Sequence, residues 1–534
     1  MPSLNSVPKA ALACLLLQHV SSAWGEQSLE FAAYLFLITL YPYTFLPASA
    51  LGLSITVVTV LASKSIGQQV DIQPRFAFVR RLILVQKLSQ AGCYAIFLYL
   101  FSPALSSSPT DQNELPVSWP FVGLLVILAS LGRIATTGID LAVCRDWILS
   151  IAAERETVAD SSTQPNELLT FLTTSLRRIT LICKLLSPLL ISVLTTSTGN
   201  RATAGILLGV AAVTLATEMI WIGVVWRKFQ GVLARDEAVK TRADQVNGDE
   251  DIQSFAAIGQ REVEADDGNH PGQRVRPERS LLRRALVLAT RAVAPWNEFR
   301  KMPIFLSSIS ISCLYLTTLS FESILISYLK SEANLSDVFI AVARGISVAM
   351  GLLGTAVMPI LEKKLGLVRA GAWSIWGEVA SLVPVVLCLY IGPGPSATAS
   401  LPSIINTLIF FATLSLSRLW LYCFDLVQLQ ALLVALERHP RRSEFSAMQV
   451  TMENAFDLAK YLVVLVFNKP DQYRWTAMIS LVAVMVAGVT YSTYLYQVRG
   501  HVFHFGAQAK KTDARSADNS ADIELPLLRA SLEH

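Results

Sequence analysis

The chain has 534 residues, 53% of them hydrophobic and 16% charged, with a formal net charge of +4 and a mean hydropathy of +0.48. A soluble domain needs more surface charge than this balance supplies, and so small a net charge, spread over loops, leaves no footprint for nucleic acid. Long apolar runs recur along nearly the whole length. A helix needs roughly 20 residues to cross a hydrocarbon core of about 30 Å with its backbone bonded internally. The sequence therefore predicts an all-α, multi-pass protein whose surroundings are the lipid bilayer.

The predicted spans are residues 11–42, 46–66, 76–103, 120–151, 167–197, 202–228, 303–329, 337–361, 366–392, 403–436, 445–467 and 473–496. In the first, Lys9, ALACLLL and the SSA before Trp24 have the look of a signal peptide. The apolar run resumes at Phe31, so the expectation is one long helix with a polar waist, WGEQSLEF. Between the sixth and seventh spans, 231–295 is rich in Ala, Glu, Asp, Gln and Arg and reads as a disordered, solvated linker. It divides the chain into an N-terminal six-helix half (1–230), the linker, a C-terminal six-helix half (296–500) and a tail (501–534). At the linker's end, SLLRRALVLATRAVAPWNEFR fits a basic amphipathic helix on a membrane surface, or one packed on the bundle. The tail segment DIELPLL approaches an acidic dileucine sorting signal, with endosomal or vacuolar routing the alternative to the plasma membrane. Lys and Arg favour one set of loops, with Arg75, Arg80 and Arg81, then Arg145 and Arg155, then Lys363, Lys364 and Arg369, then Arg438, Arg441 and Arg442. By the positive-inside rule, both termini and the linker face the cytoplasm.

The chemistry of an enzyme is missing from the sequence. It has no G-x-x-x-x-G-K-[ST] phosphate loop, no H-E-x-x-H and no G-x-S-x-G. The seven cysteines are scattered through apolar segments and read as small core side chains. What remains is a set of ionisable residues inside spans, each costing several kcal/mol unless paired or hydrated, and each therefore a functional candidate. Two pairs seven residues apart on one helix face, Arg133 with Asp140 and Arg418 with Asp425, read first as structural, held in salt bridges between neighbouring helices or snorkelling near helix ends. Glu26 and Glu30 differ from these. Like charges at i, i+4 repel, so this pair calls for a cation or a shared proton and looks built to hold a positive substrate.

Six helices, a long linker and six more is the plan of a major-facilitator transporter, with substrate bound near mid-membrane between halves. GQQVDIQPR (67–75) resembles the superfamily's loop between the second and third spans, where an acid and a base, here Asp71 and Arg75, latch the cytoplasmic side. Further stretches narrow the resemblance. They are HVSSAWGEQSLEF with His19, RDW (145–147), LRRI (176–179) with LLSP (185–188), MGLLGTAV (350–357), KLGLVRAG (364–371) and RLWLYCFDL (418–426), followed by Glu437-Arg438, Gln449 and Asp457. In this order and spacing the chain resembles the ferroportins, the iron-efflux family of the major facilitators, as a divergent member, from about residue 15 to 500 without the linker.

The resemblance implies a transporter, not an enzyme. It would export ferrous iron, or cobalt, zinc or manganese, against protons, with the metal as substrate and no cofactor. In the first half it places metal ligands on Glu26 and Glu30, whose hard oxygens favour Mn²⁺, Fe²⁺ or Ca²⁺ over Zn²⁺. In the second half it places Ser323 at the family's cysteine, Glu322 beside it and Lys460 at the family's histidine. A protonated lysine has no acceptor and cannot ligate. Lys460 is therefore expected to pair with Glu322, or with Asp457 one turn earlier, with both acids as metal candidates. Thr180 stands where the animal proteins carry an acid. His19, Asp71, Arg75, Ser323, Arg418, Asp425, Gln449 and Lys460 make up the pathway and gating set. Export of organic cations or metal chelates, and a non-transporting receptor or scaffold, are the rival readings.

Overall fold

The computed structural model describes residues 9–40, 46–102, 119–158, 167–266, 294–320, 325, 328–329, 333, 335, 337–391, 395, 400–437, 439–467 and 472–499. Almost all of these are helical. The first half comprises α1 (Lys9–Leu40), α2 (Leu46–Ile72), α3 (Arg75–Leu100) and α4 (Trp119–Ile139). It continues with α5 (Ile148–Val158), α6 (Glu167–Thr198) and α7 (Asn200–Asp266). Between α4 and α5 the helix widens into π-type turns over Asp140–Trp147. The second half comprises α8 (Ile304–Leu314), α9 (Asp337–Leu365), α10 (Leu367–Tyr390), α11 (Leu401–Ala435), α12 (Arg442–Val466) and α13 (Tyr473–Arg499).

Among the described residues, nine spans are long and apolar enough to cross a membrane, and α8 is a shorter apolar helix. Helix α1 has the length for a span, at 32 residues or about 48 Å, and runs unbroken through the WGEQSLEF waist. Leu61, Ile127, Val193 and Val213 are exposed on the outside of the bundle. That inverted surface is stable only against hydrocarbon.

One expectation from composition needs correction. Helix α7 runs on to Asp266, through the first part of the segment read as a disordered linker. Ala, Glu, Gln, Arg and Lys are strong helix formers, so polarity there removes the apolar face without removing the helix. The rest of that segment up to 293, and the dileucine-like tail, lie outside the described residues.

The buried apolar residues form three clusters, and the one around Trp147 also takes in Leu433, Val434 and Ala447 of the second half. One joins Phe36, Phe97 and Ile191, another Trp147, Leu172 and Val225, and the second half packs around Phe410, Phe424 and Tyr491. Two seams join the halves: α2 against α12, and α6 against α9 and α11. The most family-specific motifs lie where backbones touch. A Cβ on Gly67 would collide with Ala447 and the Ser443 carbonyl, and one on Gly354 with the Leu419 carbonyl, while Gly351 admits the Tyr422 ring. MGLLGTAV and RLWLYCFDL are thus two sides of one close crossing. In KLGLVRAG, Gly366 takes φ +82° and its N–H bonds the Glu362 carbonyl at 2.8 Å, ending α9 so that α10 can turn back.

Gly354→Ala is therefore expected to destabilise the protein by about 1–3 kcal/mol through overpacking against backbone. Gly123→Ala, inside α4 where nothing lies within 4 Å, is expected to raise stability by about 0.5–1 kcal/mol. Thermal unfolding in detergent compares the two, and equal midpoints would contradict the close crossing.

The seventh span is interrupted. Helix α8 stops at Leu314, and the backbone it frees is bonded by neighbours. Arg418 donates to the Leu319 carbonyl, the Tyr473 hydroxyl to the Thr318 carbonyl at 3.3 Å, and the Thr318 N–H to Ser480 Oγ at 2.8 Å.

Candidate functional site

A cavity of about 120 Å³ lies between the halves. Helix α1 contributes His19, and the π-type turns contribute Asp140, Cys144 and Arg145. Helix α6 adds Thr173, Arg177 and Thr180, the end of α8 adds Tyr315, α11 adds Asp425 and Gln428, and α12 adds Gln449 and Glu453. Polar side chains from both halves meet here inside an apolar bundle. That is where a translocation site sits in such a fold.

The contacts within the cavity are specific. Arg177 on α6 pairs with Asp425 on α11 at 2.9 Å, bridging the halves. Gln449 bonds Gln428 at 2.8 and 3.0 Å and Glu453 at 2.8 Å, and accepts from Ser308 at 2.9 Å. His19 lies 3.0 Å from Thr180 Oγ1 and 3.3 Å from Cys144 Sγ.

On one side of the cavity the halves are bolted together. Asp146 on the π-type turns pairs with Arg75 at 2.7 Å and with Arg442 at 2.5 Å, all three side chains being almost fully buried. Arg442 also bonds Ser150 at 2.7 Å, and Arg75 the Leu233 carbonyl at 2.9 Å. Asp71 accepts the backbone N–H groups of Ser443 and Glu444 at 3.3 and 2.9 Å, capping the first turn of α12 from another helix, where N–H groups lack partners and the dipole favours an anion. Arg178 donates to Thr355 Oγ1 at 2.9 Å, and Thr170 to Glu362 at 3.1 Å.

Several charged residues inside spans find partners on other elements. Arg133 bridges to Glu26 on the neighbouring α1, the interhelical pairing expected of it, while Asp140 lies 3.5 Å from Arg145. Asp425 likewise bridges between helices, to Arg177 on α6, and Arg418 donates to the Leu319 carbonyl in the non-helical stretch beyond α8. Arg133 supplies the positive charge that the Glu26 and Glu30 spacing called for, so the spacing alone does not require a bound metal. Lys460 pairs with Asp457 at 2.6 Å. Glu322 and Ser323 lie outside the described residues, and with them the Glu322–Lys460 pair.

Cys144, Thr173, Arg177, Tyr315 and Glu453 line the cavity without having been singled out as pathway residues. Glu453 had a usable signal, an acid one turn beyond Gln449 in a span. Lys87 and Glu218 form a buried pair at 2.8 Å, and Lys87 was equally visible as a charge within a span. Among the described residues, no three His, Cys, Asp or Glu side chains converge closely enough to hold a metal ion.

Two helical halves meeting at polar seams, with a polar cavity between them and lipid-facing apolar surfaces outside, define a multi-pass membrane transporter of the major-facilitator type. The family model described as Ferroportin1 (FPN1) matches residues 9–484, and the chain belongs to that family. Solute carrier family 40 member 2 of Arabidopsis thaliana is 26% identical over 502 residues, which is 93% of this chain and 92% of that protein. A bacterial homologue of the iron transporter ferroportin, solved in an outward-facing state, superposes with a TM-score of 0.67 at 19% identity, over 91% of this chain and 99% of that one. A proton:xylose symporter of the major facilitator superfamily superposes with a TM-score of 0.53 at 11% identity, over 93% and 96%. The protein is thus a transporter rather than an enzyme.

Proposed function

We propose that the protein exports a divalent metal ion, ferrous iron foremost, from the cytoplasm by alternating access. The observation that carries this reading is the cavity between the halves, where His19, Asp140, Cys144, Asp425 and Glu453 gather metal-ligating chemistry in an otherwise apolar bundle. In this reading both termini face the cytoplasm, in the plasma membrane or a vacuolar or endosomal one, and protons are the coupling ion. The seam built from Asp71, Arg75, Asp146 and Arg442 is the cytoplasmic latch. Separating it, while the opposite ends of the halves close, carries the ion across. Asp71 and Arg75 do not pair with each other. Each acts on another partner, Asp71 on the backbone of α12 and Arg75 on Asp146.

Glu26 and Glu30 are stations for the ion on α1. Arg133 is the resting counter-ion of Glu26 and moves aside for the metal. Cells producing the wild-type protein and loaded with Fe²⁺ or Co²⁺ are expected to lose the metal faster than control cells. Cells producing the double variant Glu26→Gln with Glu30→Gln are expected to retain it at control levels, with equal protein at the membrane. Efflux by the double variant at the wild-type rate would count against these two residues.

A further inference from the structure

His19 has two ring nitrogens with different neighbours. Nε2 lies 3.0 Å from Thr180 Oγ1, and Thr180 Oγ1 itself donates to the Leu176 carbonyl at 3.1 Å. A hydroxyl has one proton to give. With that proton committed to the carbonyl, Thr180 accepts from the ring, so Nε2 carries the imidazole hydrogen and Nδ1 keeps its lone pair. Nδ1 is the nitrogen that faces Cys144 Sγ, 3.3 Å away. Asp140, one turn before Cys144, lines the same cavity and is open to it, its side chain 47% exposed.

This is the local arrangement that prepares a histidine for a metal. The far nitrogen is fixed by a hydrogen bond, and the near one is left basic and aimed. The separation also fits. Metal–nitrogen bonds of about 2.0–2.1 Å and a metal–sulfur bond of about 2.3 Å put N and S roughly 3.5 Å apart at a tetrahedral angle, so an ion enters with a spread of a few tenths of an ångström. The π-type turns, a common feature of functional sites, carry Asp140 and Cys144 at the cavity wall.

We propose that His19 and Cys144, with Asp140 beside them, form a borderline-soft metal station in the first half, taking Fe²⁺, Co²⁺ or Zn²⁺ through imidazole nitrogen and thiolate. The inference rests on the export reading. On binding, the sulfur–hydrogen bond breaks, a sulfur–metal bond forms and the proton leaves into the cavity, with no change of oxidation state. Two protein donors, the remaining positions filled by water, suit an ion that must leave again. Glu26 follows His19 by seven residues on α1, about 10 Å along the axis. The ion would thus pass from nitrogen and sulfur to carboxylate oxygen on its way out.

Titration of the purified full-length protein with Co²⁺ tests this. Wild type is expected to develop a near-ultraviolet thiolate-to-cobalt charge-transfer band that is lost in Cys144→Ser and in Cys144→Ala. Thr180→Val, which removes the acceptor for Nε2–H, is expected to weaken Co²⁺ binding roughly 10-fold or more. In unmodified protein, Co²⁺ is expected to slow alkylation of Cys144, read by mass spectrometry, so the answer does not depend on a variant folding. A band undiminished in both cysteine variants, or alkylation of Cys144 unaffected by saturating Co²⁺, would overturn the station. If wild type moves Co²⁺ into liposomes yet shows no band, the station is wrong and the export reading stands. If wild type moves neither Co²⁺ nor Fe²⁺, the export reading itself fails.

Discussion

Asp146→Asn is expected to open the latch and slow transport more than any other single change outside the cavity. Its carboxylate bridges Arg75 from the first half and Arg442 from the second, at 2.7 and 2.5 Å, with almost no solvent at any of the three. Removing one partner of a buried charge pair costs about 3–5 kcal/mol, because the remaining charge stays buried and uncompensated. Asparagine keeps one acceptor oxygen, which softens the loss. Each 1.4 kcal/mol is about tenfold in a population, so the balance between latched and open states should move by roughly ten- to a hundredfold toward open. Ser446 lines the same small cavity as Asp146 and Arg442 and is buried. A cysteine introduced by Ser446→Cys should therefore be alkylated at least about tenfold faster when Asp146→Asn is added, and metal flux should fall in parallel. Unchanged alkylation with unchanged flux would show that this cluster is not the latch.

Lys460→Gln is expected to change how many ions the protein holds. The Lys460 ammonium lies 2.6 Å from Asp457, at i, i+3, and is almost fully buried while the carboxylate is partly open. A fixed cation thus occupies one of the few second-half acids among the described residues that stands within reach of solvent. An ion arriving there must displace an ammonium whose removal from its carboxylate in low dielectric is expensive. Calorimetry on wild type should give one Co²⁺ per protein, held in the first half. Lys460→Gln frees Asp457 and should add a second, weaker equivalent. Two equivalents on wild type, or one on both proteins, would contradict this division between the halves.

The nine long apolar spans among the described residues were readable in the sequence because lipid imposes a rule on every residue of a crossing helix, and apolar length alone reveals it. GQQVDIQPR, MGLLGTAV and KLGLVRAG were readable for a related reason. Gly67 and Gly354 mark places where two backbones touch, Gly366 marks a left-handed turn, and Asp71 caps a helix far along the chain.

Side-chain partners were far less legible. Spacing along a helix shows which residues share a face and leaves open which neighbouring helix faces them. Arg133 and Asp140 read as members of salt bridges, yet nothing in the spacing named Glu26 on α1 as the partner of the first or Arg145 as that of the second. Cys144 looked like one more small core residue because its histidine lies 125 positions away. The helical reach of α7 to Asp266 was hidden because composition reports the lack of an apolar face, which is a statement about packing and not about the backbone.

The most direct test of metal export is flux through the purified protein in liposomes, with radiolabelled Fe²⁺ or Co²⁺ on one side and chelator on the other. The protein is expected to move the ion well above protein-free vesicles, faster under an opposing proton gradient, and to do so poorly with Asp146→Asn or Cys144→Ser. Flux no greater than that of protein-free vesicles, or transport of organic cations with none of either metal, would contradict it.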